Sequence, residues 1–277
     1  PGLDNCAFVD GRLFVSHFTG AITEILGNGD TRALLPGGLN WPLDIVVGAD
    51  GLLYVADGTY LYRVRAGGAP QTVGMLFSPG YPGFVRGLTV AGPGEFVVTT
   101  SGGQVARYRP ADNETTYLAD GLDQLYGVTL LPDGTPVVVE QGTGRVLAVS
   151  GSGTQVLAAD LDTPVGVTTD ADGTVLVSVA GAVLRVTASG TETVVDGLVT
   201  PHGILVGAGT LYILDAGTKS VIAVDLTTGA RRTLAAGLPV GAPPGVTPKP
   251  LRGMPPFSGP QGPFAGLTAG PDGTLYF

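Results

Sequence analysis

The stretch Gly38–Val64, GLNWPLDIVVGADGLLYVADGTYLYRV, holds one complete copy of the pattern that decides the fold. An apolar run, Ile45–Val47, is followed by the dipeptide Asp50-Gly51, by a second run, Leu53–Val55, and by a third that ends at Val64. Glycine in an Asp-Gly pair supplies the positive φ that a tight hairpin turn requires. The stretch therefore predicts three short antiparallel strands joined by tight turns.

The same pattern recurs along the chain, and its spacing indicates how the strands are arranged. The first apolar runs begin 39, 43, 40, 39, 37 and 63 residues apart, at Asn5, Asp44, Gly87, Gly127, Gly166, Gly203 and Gly266. A fourth strand is predicted in six copies, at Thr31–Leu35, Gln71–Val73, Thr115–Leu118, Thr154–Leu157, Glu192–Val195 and Arg231–Leu234. A period near forty with four short strands is typical of a β-propeller, whose blades stand around a central channel.

We expect residues 1–277 to form a single all-β domain, a β-propeller of four-stranded blades. Seven blades are favoured, with six as the alternative, and the last blade is incomplete because its copy ends at Phe277 after the second strand. Two connections are longer than the rest: residues 74–86, and a Pro/Gly-rich insertion at residues 237–265 between blades six and seven. Loops of this length in a folded domain often cover a site or contact a partner.

Composition excludes some classes of partner. The formal net charge is −9 and only 13% of residues are charged, so no basic face is available for nucleic acid. The uncharged run Gly197–Leu214 is long enough for a membrane helix, but Pro201 and its strand-turn-strand pattern argue against one. Cys6 is the only cysteine, and its apolar neighbours predict a core position. With no intrachain disulfide and no signal peptide, the protein is expected in the cytoplasm or exported with its signal removed.

Candidate catalytic residues come from the positions where innermost strands begin. One face of a propeller collects these positions, at the mouth of the channel, whereas the Asp-Gly turns lie on the opposite face. A structural position would tend to repeat one residue type, but this ring is mixed: Asp4-Asn5, Leu43-Asp44, Arg86, Tyr126, Val165, His202 and Ala265. Arg86, Tyr126 and His202 are the catalytic candidates. His202 is predicted to be a general base or a metal ligand, with a hydrogen-bonded channel residue as the alternative.

A second ring lies six residues after each turn glycine and contains Asp57, Glu140 and Asp215. Their carboxylates can cap the next turn by accepting backbone N–H bonds, or they can serve a site. If a divalent cation binds, calcium or magnesium is expected, and the available oxygen ligands are Asp4, Asp44, Glu140 and Asp215. His17 lies at the same position of the first copy, where turn capping is favoured over a ligand role.

The repeat also resembles known families. Pro201-His202-Gly203-Ile204 and Leu53-Tyr54-Val55-Ala56-Asp57 are similar to the units of NHL-type propellers and of the gluconolactonase (senescence-marker) superfamily. The resemblance extends over essentially the whole chain. A weaker resemblance, to streptogramin lyase, rests on the recurring Gly/Pro-x-Gly-Ile rhythm. These families imply a cation at the channel mouth, and the lyase branch implies a histidine there, for which His202 is the candidate.

Two functions remain open. The first is a small-molecule site at the channel mouth that hydrolyses a lactone or ester, or acts as a lyase, with its ligand in the central channel. The alternative is a non-catalytic NHL-type scaffold that binds another protein through the loops at residues 74–86 and 237–264, where Met75, Met254 and Phe257 lie.

Overall fold

The structure, a computed structural model, describes residues 3–9, 12–17, 22–26, 28, 30–35, 44–57, 59–65, 69–151, 153–238, 268–269 and 275–276. Every regular element in these ranges is a β-strand. The strands of the first three sheets are β1 (Leu3–Val9), β2 (Arg12–His17), β3 (Ile22–Ile25), β4 (Thr31–Leu35), β5 (Asp44–Val47), β6 (Leu53–Asp57), β7 (Tyr60–Val64), β8 (Gln71–Met75), β9 (Val85–Gly92), β10 (Glu95–Thr100), β11 (Val105–Arg109) and β12 (Glu114–Ala119). The following strands are β13 (Leu125–Leu130), β14 (Pro136–Glu140), β15 (Arg145–Ser150), β16 (Gly153–Ala158), β17 (Val167–Thr169), β18 (Val175–Val179), β19 (Ala182–Thr187), β20 (Gly190–Val195), β21 (Pro201–Gly207), β22 (Thr210–Asp215), β23 (Ser220–Asp225), β24 (Arg231–Ala236), β25 (Thr268–Ala269) and β26 (Leu275–Tyr276).

Six antiparallel sheets of four strands account for β1 to β24, and each contains four consecutive strands of the chain. The first strand of each sheet contacts the first strand of the next, from β1 to β5 and onward to β21. This radial order of sheets confirms the all-β propeller. The structure shows six blades with four strands each, which is the alternative count predicted from the sequence. β25 and β26 form a separate two-stranded sheet, and β25 contacts both β21 and β1.

Burial explains why the middle strands are the most apolar. Every residue of β14 and of β18 is buried, because both faces of a blade pack against neighbouring blades. Val139 of β14 and Val177 of β18 belong to one core cluster between the fourth and fifth sheets. Burying an aliphatic side chain of this size contributes about 1.5–3 kcal/mol. The outermost strands β16 and β24 are mostly exposed.

The Asp-Gly turns behave as the sequence predicts. Gly51 and Gly134 adopt φ values of 72° and 83°. Asp50 Oδ1 accepts the Leu52 N–H at 3.1 Å, and Asp133 Oδ1 accepts the Thr135 N–H at 2.9 Å. In the fifth sheet the accepting carboxylate instead belongs to Asp170, which receives the N–H groups of Asp172 and Thr174.

The run Gly197–Leu214, which the sequence suggests is not a membrane helix, contains β21 and most of β22. Within the described ranges, no helix has the length and apolar character needed to cross a bilayer.

The connection at residues 74–86 lies against the outermost strand of the third sheet. The Thr115 hydroxyl donates to Gly80 O at 2.6 Å, and the Tyr117 hydroxyl donates to Pro82 O at 3.2 Å. Gly80 adopts φ 75°, and a Cβ there would lie 1.6 Å from Asn113 O. The loop is therefore held closely to blade three. Of the insertion at residues 237–265, only Gly237 and Leu238 are among the described residues.

Candidate functional site

Glycines near the start of the innermost strands allow neighbouring blades to approach closely. A Cβ added to Gly87 would lie 2.7 Å from Tyr126 O, and one added to Gly166 would lie 2.2 Å from His202 O. At Gly127 the corresponding distance to Val165 O is 2.9 Å. Real Cβ atoms do not approach oxygen this closely without displacement, so the repeating glycine is required by the wall of the channel.

The backbone of each innermost strand is joined to the next blade by hydrogen bonds, which we call the seam. Gly127 N donates directly to Val165 O at 3.2 Å. In two other blades a buried hydroxyl, that of Thr99 or of Ser178, stands between the glycine N–H and the next blade's carbonyl oxygen. These two hydroxyls are not among the candidates predicted from the sequence. Their shared position, five residues after a turn glycine, is the sequence pattern that could have identified them.

Asp44 stands where other blades have the seam glycine, and it takes part in the seam through its side chain. Its Oδ2 accepts the Leu88 N–H of the third sheet at 2.7 Å. The carboxylate thus joins β5 to β9, while Ala56 occupies the position that holds a hydroxyl in Thr99. This contact gives Asp44 a role in joining blades two and three, and its predicted role as a cation ligand stays a prediction.

Arg86 and Tyr126 come into direct contact. They occupy equivalent positions, one residue before Gly87 and Gly127, on β9 and β13. Both are buried, with exposed fractions of 7% and 8%, and the Arg86 guanidinium carbon lies 4.4 Å from the centre of the Tyr126 ring. Arg86 Nη1 also donates to Leu125 O at 3.4 Å. A cation over an aromatic face in a desolvated setting is attracted by about 2 kcal/mol. Two of the three predicted catalytic residues therefore form one unit.

His202 lies three sheets further around the ring, on β21, where it precedes Gly203 as Arg86 precedes Gly87. Protein surrounds the imidazole, and this burial lowers the pKa of His202 to about 4. The residue nevertheless keeps some accessible surface. A histidine with this pKa is neutral at pH 7 and can accept a proton.

Glu140 has a structural environment. Its carboxylate is 1% exposed, and Oε1 accepts the Asp123 N–H at 2.8 Å. Its Oε2 accepts Arg145 Nε at 2.7 Å and the Thr143 hydroxyl. Burial alone would raise the pKa of Glu140, but the hydrogen bonds from Thr143, Asp123 and Arg145 together lower it. The carboxylate thus holds the turn after β14 and the connection that enters blade four.

Asp215 caps backbone groups, as one of the two sequence interpretations predicts. It is entirely buried, and it accepts the N–H groups of Val199 at 2.9 Å, Thr200 at 2.8 Å, Gly217 at 3.0 Å and Thr218 at 3.3 Å. Burial alone would raise the pKa of Asp215, but these N–H donors lower it. One carboxylate therefore joins the entry of β21 to the turn after β22. Asp57, its counterpart in blade two, is likewise buried at 1% exposed.

The predicted cation ligands do not form a shared site in the described part of the chain. Glu140 and Asp215 direct their oxygens at N–H and O–H donors, and Asp44 Oδ2 accepts a backbone N–H. No group of three His, Cys, Asp or Glu side chains suited to a metal ion occurs among the residues described. The side chains of Asp4, Cys6 and His17 lie outside the described set. These contacts do not fit a calcium or magnesium site, and the divalent cation stays a prediction from the sequence.

Comparison with known proteins identifies solved structures with the same fold. No protein-family model matches the chain, and no curated protein sequence matches it. Among solved structures, a streptogramin B lyase is similar over 99% of this chain and 89% of its own, with a TM-score of 0.74 and 14% identity. A chain of a nidogen/laminin complex is similar over 80% of this chain and 91% of its own, with a TM-score of 0.65 and 20% identity. A gluconolactonase from Xanthomonas campestris is similar over 76% of this chain and 82% of its own, with a TM-score of 0.61 and 17% identity. The chain therefore shares the propeller fold of streptogramin B lyase and gluconolactonase, as its repeat resemblance predicts.

Proposed function

We propose that this protein is a propeller enzyme that opens a small lactone or ester, by hydrolysis or by elimination, at the mouth of its central channel. The observation that carries the proposal is the pair Arg86–Tyr126, a buried cation stacked on an aromatic ring at positions where the repeat does not require either residue. The fold is shared with a streptogramin B lyase and a gluconolactonase, and this analogy of fold is why elimination and hydrolysis are the two reactions proposed.

Each of the three residues has a chemical role in this proposal. His202, which is neutral at pH 7, is the general base that takes a proton from water or from the carbon next to the ester, and its pKa of about 4 makes it a weaker base than an ordinary histidine. Arg86 stabilises the negative charge that develops on the carbonyl oxygen. Tyr126 holds the guanidinium in place through its ring.

The test is turnover of a small panel that contains gluconolactone, simple lactones and a streptogramin B antibiotic, followed by mass spectrometry. Hydrolysis adds the mass of one water to the substrate, whereas ring opening by elimination leaves its mass unchanged. We expect His202→Ala and Arg86→Ala each to lower kcat/KM by at least about a hundredfold. Activity should also fall as the pH drops through about 4, where His202 becomes protonated.

Arg107→Ala is the matched control, since it removes the same charge from a partly exposed ion pair with Glu95. Its kcat/KM should remain close to that of the wild type. Turnover that survives both His202→Ala and Arg86→Ala would overturn the proposal. The same conclusion would follow if no member of the panel were turned over or bound.

A second function is favoured by one exposed feature. Phe77, in the loop at residues 74–86, is 83% exposed at a φ of 66°, a conformation that is strained for a residue with a side chain. Met75 and Tyr117 are also exposed, and the Tyr117 hydroxyl bonds the same loop. A fixed, exposed aromatic side chain is suited to insertion into a protein partner. Under this alternative, Phe77→Ser would abolish binding to a partner and would leave turnover unchanged.

The seventh blade belongs to this proposal as well. β25 lies against both β21 and β1, which is where the innermost strand of a seventh blade would close the ring. An experimental structure with four strands on this side of the ring would confirm seven blades, and β21 packed directly against β1 would exclude them.

A further inference from the structure

The hydroxyls of Thr99 and Ser178 occupy the same position in two blades and make the same pair of hydrogen bonds. Both side chains are completely buried. Thr99 Oγ1 accepts the Gly87 N–H at 2.9 Å and donates to Tyr126 O at 3.0 Å. Ser178 Oγ accepts the Gly166 N–H at 2.8 Å and donates to His202 O at 3.3 Å. Each hydroxyl therefore connects one blade's innermost strand to the main chain of a candidate site residue in the next blade.

We propose that Thr99 and Ser178 are positioning residues for the channel-mouth site, a role that rests on the function proposed above. Gly87 follows Arg86 directly, so the two bonds of Thr99 fix the main chain of Arg86 relative to that of Tyr126. This keeps the guanidinium 4.4 Å from the ring centre. Ser178 fixes the His202 carbonyl group, and with it the Cα from which the imidazole projects.

Blade four shows that the seam can close without a hydroxyl. In the fourth blade the position is Val139, and Gly127 N reaches Val165 O directly at 3.2 Å. The residue placed by that direct bond is Val165, an aliphatic side chain without a predicted role. Hydroxyl-mediated bonds instead place Tyr126 and His202. Across blades three, four and five, a hydroxyl at this position thus coincides with a polar candidate in the next blade.

Blade two extends this pattern. Asp44 Oδ2 bonds the Leu88 N–H, two residues after Arg86. A side chain therefore bonds the main chain at, or within two residues of, each of Arg86, Tyr126 and His202. At Val165 the glycine N–H bonds the carbonyl oxygen directly. Removal of the hydroxyl would break both of its bonds, and the main chain of the site residue should consequently shift relative to the neighbouring blade.

The first experiment reads the position of His202 without any substrate. The sequence contains two histidines, so the ring signals of His202 and His17 are separated in a ¹H–¹³C spectrum by the single variant His202→Gln. We expect Ser178→Ala to shift the His202 ring signal and to leave that of His17 in place. Ser178→Thr, which restores a hydroxyl, should return the His202 signal toward its wild-type position.

Thr169→Val is the matched control. Thr169 Oγ1 also donates to a carbonyl oxygen of the adjacent blade, Leu130 O at 3.2 Å, but at the opposite end of β17. An equal His202 shift in Thr169→Val would show that any lost bond between blades has this effect, and it would overturn the positioning role. An unchanged His202 signal in Ser178→Ala would overturn it as well. If Ser178→Ala does not fold, Ser178→Cys, which keeps a weak donor of similar size, provides the same comparison.

The second experiment uses a substrate identified by the panel. Ser178→Ala and Thr99→Val should lower kcat by between about tenfold and a hundredfold with little change in KM, and Thr99→Ser should recover most of the loss. A rise in KM at constant kcat would overturn the positioning role. Because the ring signal requires no turnover, a shifted signal without any active substrate would contradict the proposed function alone.

Discussion

Replacement of Asp215 by alanine should destabilise the fold more than any other single carboxylate change in blade six. The buried carboxylate accepts four backbone N–H groups from two separate connections, at Val199 and Thr200 and at Gly217 and Thr218. A hydrogen bond to a charged group contributes about 1.5–3 kcal/mol, and a buried donor left unsatisfied costs about 1–3 kcal/mol. Because the four bonds share one carboxylate they do not add, and we expect a loss of about 4 kcal/mol in the free energy of unfolding.

The pH dependence of stability has a definite sign. The folded-state pKa of Asp215 is lowered relative to its value of 3.8 in an unfolded chain. Its contribution is therefore fully present above pH 3.8 and is lost as the pH falls through the lower folded pKa. Asp215→Asn, which lacks this charge, should be less stable than the wild type by about 2 kcal/mol at pH 7. The difference in the free energy of unfolding between the wild type and Asp215→Asn should decrease as the pH falls below 3.8.

Urea unfolding at several pH values measures both effects. Asp225→Ala is the control, since Asp225 accepts N–H groups from Thr227 and Thr228 in an exposed turn that water can satisfy instead. Equal losses for the Asp215 and Asp225 variants would refute the argument from burial. If Asp215 instead serves a cation, calcium or magnesium should stabilise the wild type and leave the Asp215 variants unaffected.

Four further changes test other contacts, three by the same urea measurement and one by limited proteolysis. Glu140→Gln removes the charge that pairs with Arg145, and we expect a loss of about 2 kcal/mol; unchanged stability would contradict a structural ion pair. Gly166→Ala brings a Cβ within 2.2 Å of a carbonyl oxygen in the next blade and should cost at least about 2 kcal/mol. Gly151→Ala, which meets nothing within 4 Å, should stay within about 0.5 kcal/mol of the wild type, and similar losses for both would argue against a tight seam. Gly80→Ala should loosen the loop at residues 74–86 and speed its cleavage in limited proteolysis; unchanged cleavage would contradict the tight contact on blade three.

Local chemistry allowed most of the fold to be predicted from the sequence. The strand predicted at Thr31–Leu35 is observed with those bounds, and the one predicted at Thr115–Leu118 extends by one residue at each end. Alternating burial and the positive φ of the turn glycines are properties of neighbouring residues, so they are visible in the order of the chain. The number of blades is not, because it depends on how the first and last sheets meet.

The candidate site was predictable only in part. The pairing of Arg86 with Tyr126 depends on contact between blades, across 40 residues of sequence, and no local pattern indicates it. The capping role of Asp215 toward Gly217 and Thr218 was predictable because it spans one turn. Its bonds to Val199 and Thr200 depend on the irregular register between β21 and β22, where Pro201 pairs with Asp215 and Gly203 with Leu214.

Asp44 shows that a residue that departs from the repeat can have a structural role between blades, and that this role has to be examined before a catalytic one is proposed. Among the inner-strand glycine positions it is the most conspicuous exception, yet its carboxylate replaces a bond that other blades make by other means. Tyr126 and His202 differ, since the described seam uses only their carbonyl oxygens and leaves the choice of side chain open. A polar residue at such a position is not needed to close the ring of blades. Arg86 does take part in the seam through its side chain, since its Nη1 donates to Leu125 O of blade four. The proposed chemistry should therefore be sought first at Tyr126 and His202, where the described seam uses the carbonyl oxygen, and at Arg86, which contacts the Tyr126 ring.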